Sequence, residues 1–197
     1  MFRPIPPGTQ TLIGLNVIAF ALQAFLGAEF IGSLALWPFG PQFGPWQILT
    51  YGFLHGSLMH LLFNMFGLYM FGSDIESVWG QRRYITYYLV CVMSAAIAQL
   101  LVTWLTGSFY PTVGASGGVF GLLLAFGMMF PKRVIVLLIP PIPMPAWLFV
   151  TLYGLIELYF GITGTASGVA HFAHLGGMVG GYLMILYGRS GARRPRL

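Results

Sequence analysis

Acidic residues are nearly missing from this chain. Glu29, Asp74, Glu76 and Glu157 are its four carboxylates, and charged side chains make up 7% of 197 residues. Water-soluble domains carry about 25%. With 57% hydrophobic residues, the chain has more apolar surface than a soluble core of this size can cover. A water-soluble globular domain is thereby excluded. The single cysteine, Cys91, excludes an internal disulfide, and its place in an apolar run reads as packing. No internal repeat, low-complexity tract or additional soluble domain is visible.

What the chain has instead is long apolar runs. A membrane span needs about 20 mostly apolar residues. Six are read, near Thr11–Leu26, Ser57–Gly72, Tyr84–Leu105, Ser116–Phe130, Pro145–Ile162 and Gly168–Tyr187. The expected fold class is all-α: a polytopic membrane protein with six transmembrane helices, forming one domain over residues 1–197. Arg3 before the first run gives it the look of a signal peptide, but no clear cleavage site follows and five further spans remain.

Charge placement sets the expected topology. Arg3, Arg82, Arg83, Lys132, Arg133, Arg189, Arg193, Arg194 and Arg196 fall at the N-terminus, in loops 2–3 and 4–5, and at the C-terminus. Those segments share one side, and the other loops hold no Lys or Arg. Both termini are therefore expected in the cytoplasm. The net charge of +5 is a topology signal, so no nucleic-acid partner is expected. Residues 188–197 read as a basic cytoplasmic tail near anionic lipid headgroups. Trp37, Trp46 and Trp147 read as interfacial aromatics. Pro140, Pro141, Pro143 and Pro145 keep the start of the fifth helix non-helical.

Against this apolar background a few polar side chains stand out. Gly114-Ala115-Ser116-Gly117 opens the fourth span, and Ala173-His174-Leu175-Gly176-Gly177 lies in the sixth. An ionisable residue inside a span is a functional hypothesis by default. His60 and Asn64, four apart, share a face of the second helix. At 1.5 Å per residue they lie roughly 5 to 12 Å from its outer end, and His174 lies roughly 9 Å from the outer end of the sixth. The fourth helix is short, about 22 Å against a hydrocarbon core of about 30 Å. Ser116 then begins roughly 8 Å below the outer surface, and all three fall in the outer third. The segment Gly107–Gly114 is expected to dip into the membrane beside it, where non-helical backbone must be buried or line water. Gly117 with Gly121, Gly177 with Gly181, and Gly176 with Gly180 form small faces that let helices four and six approach closely.

These groups suit acyl transfer. A serine hydroxyl needs a base to take its proton, and a histidine does so near neutral pH. His60, Asn64 and the Ser116 backbone N–H could face a developing oxyanion at a helix N-terminus. Asp74 and Glu76 fall at the cytoplasmic end, Glu29 lies outside any motif, and Glu157 lies deep in the fifth helix. The expectation is a Ser–His dyad without an acid.

Here the chain resembles the rhomboid family of intramembrane serine proteases. The resemblance rests on His55-Gly56-Ser57-Leu58-Met59-His60-Leu61-Leu62-Phe63-Asn64, on Gly114-Ala115-Ser116-Gly117, and on Ala173-His174 with Gly177 and Gly181. Gly72, Glu76 and Gly80 also fit, and it covers about 45–187. It implies that Ser116 is the nucleophile and His174 the base, that His60 and Asn64 line the oxyanion hole, and that His55 orders the end of loop 1. It implies cleavage of single-span membrane proteins near the outer face, with no metal or cofactor, substrate and lipid being the expected partners. Loop 1 and the fifth helix are expected to shape substrate entry. One departure is that loop 1 holds Trp37 and Trp46 but no arginine. His171 is additional to the minimal pattern and reads as structural, a partner within loop 5–6. The compact form fits a prokaryotic cytoplasmic membrane, and oligomeric state is open.

Two rival readings remain at this point. A membrane metal hydrolase would hold zinc on His55, His60, His171 and His174, although no HExxH motif is present. An inactive rhomboid-like protein would bind client spans without cutting them. A Ser116 that merely caps its helix is the bland alternative for the nucleophile. A transporter would need an inverted repeat or paired broken helices, and neither is seen.

Overall fold

The computed structural model describes residues 4–136, 140–165 and 168–192. Arg3 and residues 193–197 of the basic tail lie outside them. Helices dominate. The first, α1 (Pro7–Leu34), starts with proline in its first turn, where no N–H is needed. It bends at Gly27, whose φ of 71° breaks the helical run, so the expected end at Leu26 is a kink and the chain stays helical beyond it. Loop 1 then carries a short helix, α2 (Gln47–Thr50), and a 3₁₀ turn at Tyr51–Phe53.

The second apolar run is α3 (Leu58–Gly67), a π-helical stretch Leu68–Gly72, and α4 (Ser73–Trp79), continuous with one another. The expected stop at Gly72 does not occur. Gly72 keeps helical angles, and the Tyr84 hydroxyl occupies the place its side chain would take. Gly80, at φ 77°, makes the turn into α5 (Gln81–Thr106). Next come α6 (Ser116–Met129), α7 (Ala146–Thr163) and α8 (His171–Ala192). Helix α8 thus begins three residues after the expected Gly168.

The all-α expectation needs one amendment. Between α6 and α7, β1 (Val134–Val136) pairs antiparallel with β2 (Pro143–Pro145). A β-branched Val-Ile-Val run favours extended backbone, and prolines are tolerated at the edges of a two-stranded ribbon. Pro145 immediately precedes α7, so the expected non-helical lead-in is a hairpin.

Helices α1, α5 and α7 are long and apolar enough to cross a membrane, and α6 is a shorter apolar helix. The centre is α8 packed on α5 and α6. Tyr51, Tyr84, Tyr87 and Tyr88 are buried there. Tyr51 donates its hydroxyl to the Val92 carbonyl and Tyr87 to the Gly121 carbonyl, both at 2.8 Å. At the far end of α6 from Ser116, Arg133 pairs with Asp74 at 2.5 Å. There too the buried Glu76 accepts from the Gly8 N–H, the Thr9 N–H and the Thr9 hydroxyl at 2.7 to 2.8 Å. A carboxylate at a helix N-terminus satisfies orphan donors and complements the dipole.

Candidate active site

Helix α6 opens where a non-helical segment ends. That segment is held from two sides. Leu36 and Thr112 exchange backbone hydrogen bonds at 3.0 and 2.9 Å, and the Gly114 N–H donates to the Tyr51 carbonyl at 3.0 Å. Thr112, Gly114 and Ala115 are buried, as irregular backbone within a membrane must be. Gly114 has φ 139°, and a Cβ there would lie 2.8 Å from His60 Cε1 and 3.5 Å from Ser116 Oγ. Only glycine fits between those two groups.

Ser116 is the first helical residue, and Ala115 is the cap. Capping is therefore not its role. Its hydroxyl lies 2.8 Å from His174 Nε2. The glycines make this approach possible. A Cβ on Gly177 would overlap the Gly117 carbonyl, so α6 and α8 touch backbone to backbone. Gly121 also faces the Gly177 carbonyl, at 3.1 Å from its would-be Cβ. Gly176, Gly180 and Gly181 serve a different neighbour. Gly176 and Gly180 face Ala98 and Ser94 of α5, and Gly181 faces Tyr87 and Cys91. Phe120, one turn after Ser116, stacks on the His174 ring at 4.2 Å and 6° between planes.

The structure places an acid beside the base, where none was expected. Glu157 Oε2 lies 2.9 Å from His174 Nδ1 and 2.6 Å from His171 Nδ1. Depth explains the error. Helix α7 ends at Thr163, so Glu157 is six residues, roughly 9 Å, from that end. His174 lies three residues, roughly 4.5 Å, along α8 from the facing end. Glu157 is deep in the helix and level with the histidine. His171 is correspondingly no loop partner but the first residue of α8, bonded across to α7.

Hydrogen bonding assigns the histidine protons. A carboxylate at His174 Nδ1 requires an N–H there, leaving the Nε2 lone pair for the Ser116 hydroxyl. The Gly56 N–H donates to His60 Nδ1 at 3.4 Å, so the His60 proton sits on Nε2, the edge against Gly114. Asn64 donates from Nδ2 to the His60 carbonyl at 3.0 Å, leaving its second amide hydrogen. Ser57 caps α3 by accepting from the His60 N–H at 3.1 Å. His55 is buried and packs edge-on against His60 at 5.0 Å. Burial, with His60 beside it, pushes its pKa down to about 4, so it is neutral. Gln23 was missed by sequence reasoning. It donates to the His55 carbonyl and accepts the His55 N–H, each at 2.9 Å.

The metal alternative finds a different set from the one expected. Among the described residues, Glu157, His171 and His174 are the grouping close enough for one ion, and His55 and His60 are not part of it. In this structure the three side chains meet as hydrogen-bond partners, at 2.6 and 2.9 Å.

Residues 42–191 match the Rhomboid domain family. This chain belongs to the rhomboid family. The match takes in every site residue above except Gln23 and Leu36. Among relatives, Rhomboid protein 1, mitochondrial, of Saccharomyces cerevisiae is 28% identical over 95% of this chain and 57% of its own length. Rhomboid protease GlpG of Pectobacterium atrosepticum is 27% identical over 96% of this chain and 66% of its own. Rhomboid protease GluP of Bacillus subtilis is 28% identical over 90% of this chain and 34% of its own. The chain thus spans between one third and two thirds of the length of these curated relatives. As a rhomboid with long apolar helices, it is an integral membrane protein.

Proposed function

We propose that this rhomboid is an intramembrane serine endopeptidase. The observation that carries this reading is the 2.8 Å contact between Ser116 Oγ and His174 Nε2. Three of the relatives' names support it: GlpG of Pectobacterium atrosepticum, GlpG of Photorhabdus laumondii and GluP are each called a rhomboid protease. His174 takes the Ser116 proton as the hydroxyl oxygen attacks a peptide carbonyl. The oxyanion faces His60 Nε2–H, the Asn64 amide and the Ser116 backbone N–H, which has no partner within its own helix. His174 then passes the proton to the leaving amine, and water hydrolyses the acyl-enzyme.

The proposed topology has six crossings, formed by α1, the continuous α3–α4 run, α5, α6, α7 and α8. Both termini are cytoplasmic by the placement of Lys and Arg. The site opens to the outer face, and the host is a prokaryotic cytoplasmic membrane. Substrates are single-span membrane proteins, cut near the outer face without a metal or cofactor.

The test is cleavage of a generic single-span substrate by purified protein in detergent. Wild type is expected to cut it with or without a chelator, and Ser116→Ala and His174→Ala to lose cleavage. A serine-directed fluorophosphonate is expected to label Ser116. Cleavage surviving in Ser116→Ala overturns the nucleophile. A wild type that neither cuts nor labels favours a client-binding, inactive rhomboid.

A further inference from the structure

Glu157 and His171 have no task in the reading above, and both are 7% exposed. A buried carboxylate is costly unless hydrogen bonds compensate it. This one accepts from two imidazoles at a single oxygen, at 2.6 and 2.9 Å. We infer that Glu157 is a positioning residue for the base His174, and that His171 holds Glu157 to that task. The inference rests on the protease reading and deepens it.

The geometry carries it in three steps. First, the Glu157 bond selects the His174 tautomer. With the proton fixed on Nδ1, only Nε2 can receive the Ser116 proton. The opposite tautomer would put two hydrogens, Nε2–H and Oγ–H, in one 2.8 Å contact and leave the carboxylate facing a lone pair. Second, the ring has no other freedom. Phe120 lies parallel to it at 4.2 Å, and its two nitrogens are tied to α6 and α7. Third, the proton arithmetic closes. The proton leaves Ser116 Oγ for His174 Nε2, Nδ1 keeps its own, and Glu157 stays ionised beside the imidazolium. In a poorly solvated site that pairing stabilises the imidazolium that forms as the proton is taken.

His171 extends the arrangement. It stands three residues before His174, on the same face of α8. Its Nδ1–H donates to the same Oε2, so the carboxylate is held by two points of α8 rather than one. Helix α7 places Glu157 by its own periodicity: Phe149, Tyr153 and Glu157 recur every four residues. Phe149 contacts Tyr153 at 4.8 Å, and Tyr153 contacts Phe120 at 5.9 Å between ring centroids. The acid is therefore set by the aromatic packing of α7 on α6.

The test uses the full chain in detergent with the single-span substrate, comparing wild type, Glu157→Gln, Glu157→Asp, His171→Gln and Ser116→Ala. Glu157→Gln is expected to lower kcat by up to about 10⁴-fold with KM nearly unchanged, about 10⁴ being the loss when the orienting acid of a triad is neutralised. Glu157→Asp is expected to recover part of it, and His171→Gln to cost about tenfold. Nitrogen-15 NMR of the four histidines is expected to show His174 protonated at Nδ1 in wild type and mixed in Glu157→Gln. A kcat for Glu157→Gln within threefold of wild type overturns the inference. So does wild-type activity that a chelator abolishes and zinc restores, which would make the trio a metal site. If Ser116→Ala still cuts, or wild type does not, the protease reading fails separately. The His174 tautomer then decides the placement alone, and an unchanged tautomer in Glu157→Gln overturns it.

Discussion

The carbonyl oxygen of Gly117 fills the space that a Cβ on Gly177 would need. Two helices meet there through backbone, one turn from the Ser116–His174 contact. Because the obstruction is main chain, no rotamer change can relieve it. Gly177→Ala is expected to push α8 away from α6 and lengthen that contact. Overpacking of this kind costs about 1 to 3 kcal/mol, and turnover is expected to fall more than tenfold. Gly154→Ala is the control, since a Cβ there meets only Met178, at 3.6 Å. Unfolding midpoints and cleavage rates of the two variants check this; equal effects would remove the close approach as the cause.

Asn64 lies 5% exposed with one amide hydrogen on the His60 carbonyl of its own helix. Removing it leaves that carbonyl in its helical bond, so the fold should tolerate the change. Asn64→Ala is expected to reduce kcat by about 10²- to 10³-fold, the range for losing one oxyanion donor, with KM little altered. Steady-state kinetics that show a raised KM and intact kcat would assign Asn64 to substrate binding instead.

Glu76 is a buried acid without a basic partner at its hydrogen bonds. Its three bonds to Gly8 and Thr9 tie the start of α1 to α4. Glu76→Ala leaves those donors without a partner and is expected to cost about 2 to 3 kcal/mol. Turnover per folded molecule should be unchanged, because the residue is a helix length from Ser116. Thermal unfolding read beside active-site titration separates the two effects.

His55 gives loop 1 a pH dependence of definite sign. Its pKa is lowered from 6.5 to about 4 in the fold. Between those values the unfolded chain binds a proton that the folded chain refuses. Its contribution to stability is therefore full above about pH 6.5 and is lost as pH falls toward 4. His55→Gln is expected to flatten the unfolding midpoint across that window. Parallel pH profiles for wild type and variant would show that His55 is not the group responsible.

Much of the site could be read along the chain because its residues sit in helices of known rise. Ser116 and His174 were matched in depth from opposite helices and lie 2.8 Å apart. Phe120 was equally legible, being four residues after Ser116, but an aromatic in an apolar helix carries no signal by itself. Glu157 needed only the same ruler applied to α7. Counted from Thr163, the end that faces the start of α8, Glu157 stands six residues, roughly 9 Å, into the helix. Gln23 was not accessible in this way. It reaches His55 across 32 positions, and nothing in the α1 sequence names its partner. The continuation of the second run through Gly72 was hidden too, because the pressure against a side chain there comes from Tyr84 of the next helix.

Loop 1 has a consequence for the proposed nucleophile that its distance in sequence conceals. Leu36 and Tyr51 bracket α2 and both grip the backbone leading into Ser116, one at Thr112 and the other at Gly114. Tyr51 is in turn fastened to α5 through Val92. The serine thus stands on a mount bolted to loop 1 and α5 as well as to its own helix. A single protease nick between Trp37 and Tyr51 would spare every residue that touches the scissile bond. It would still loosen the two bolts independently, and the serine would lose its aim while keeping its chemistry.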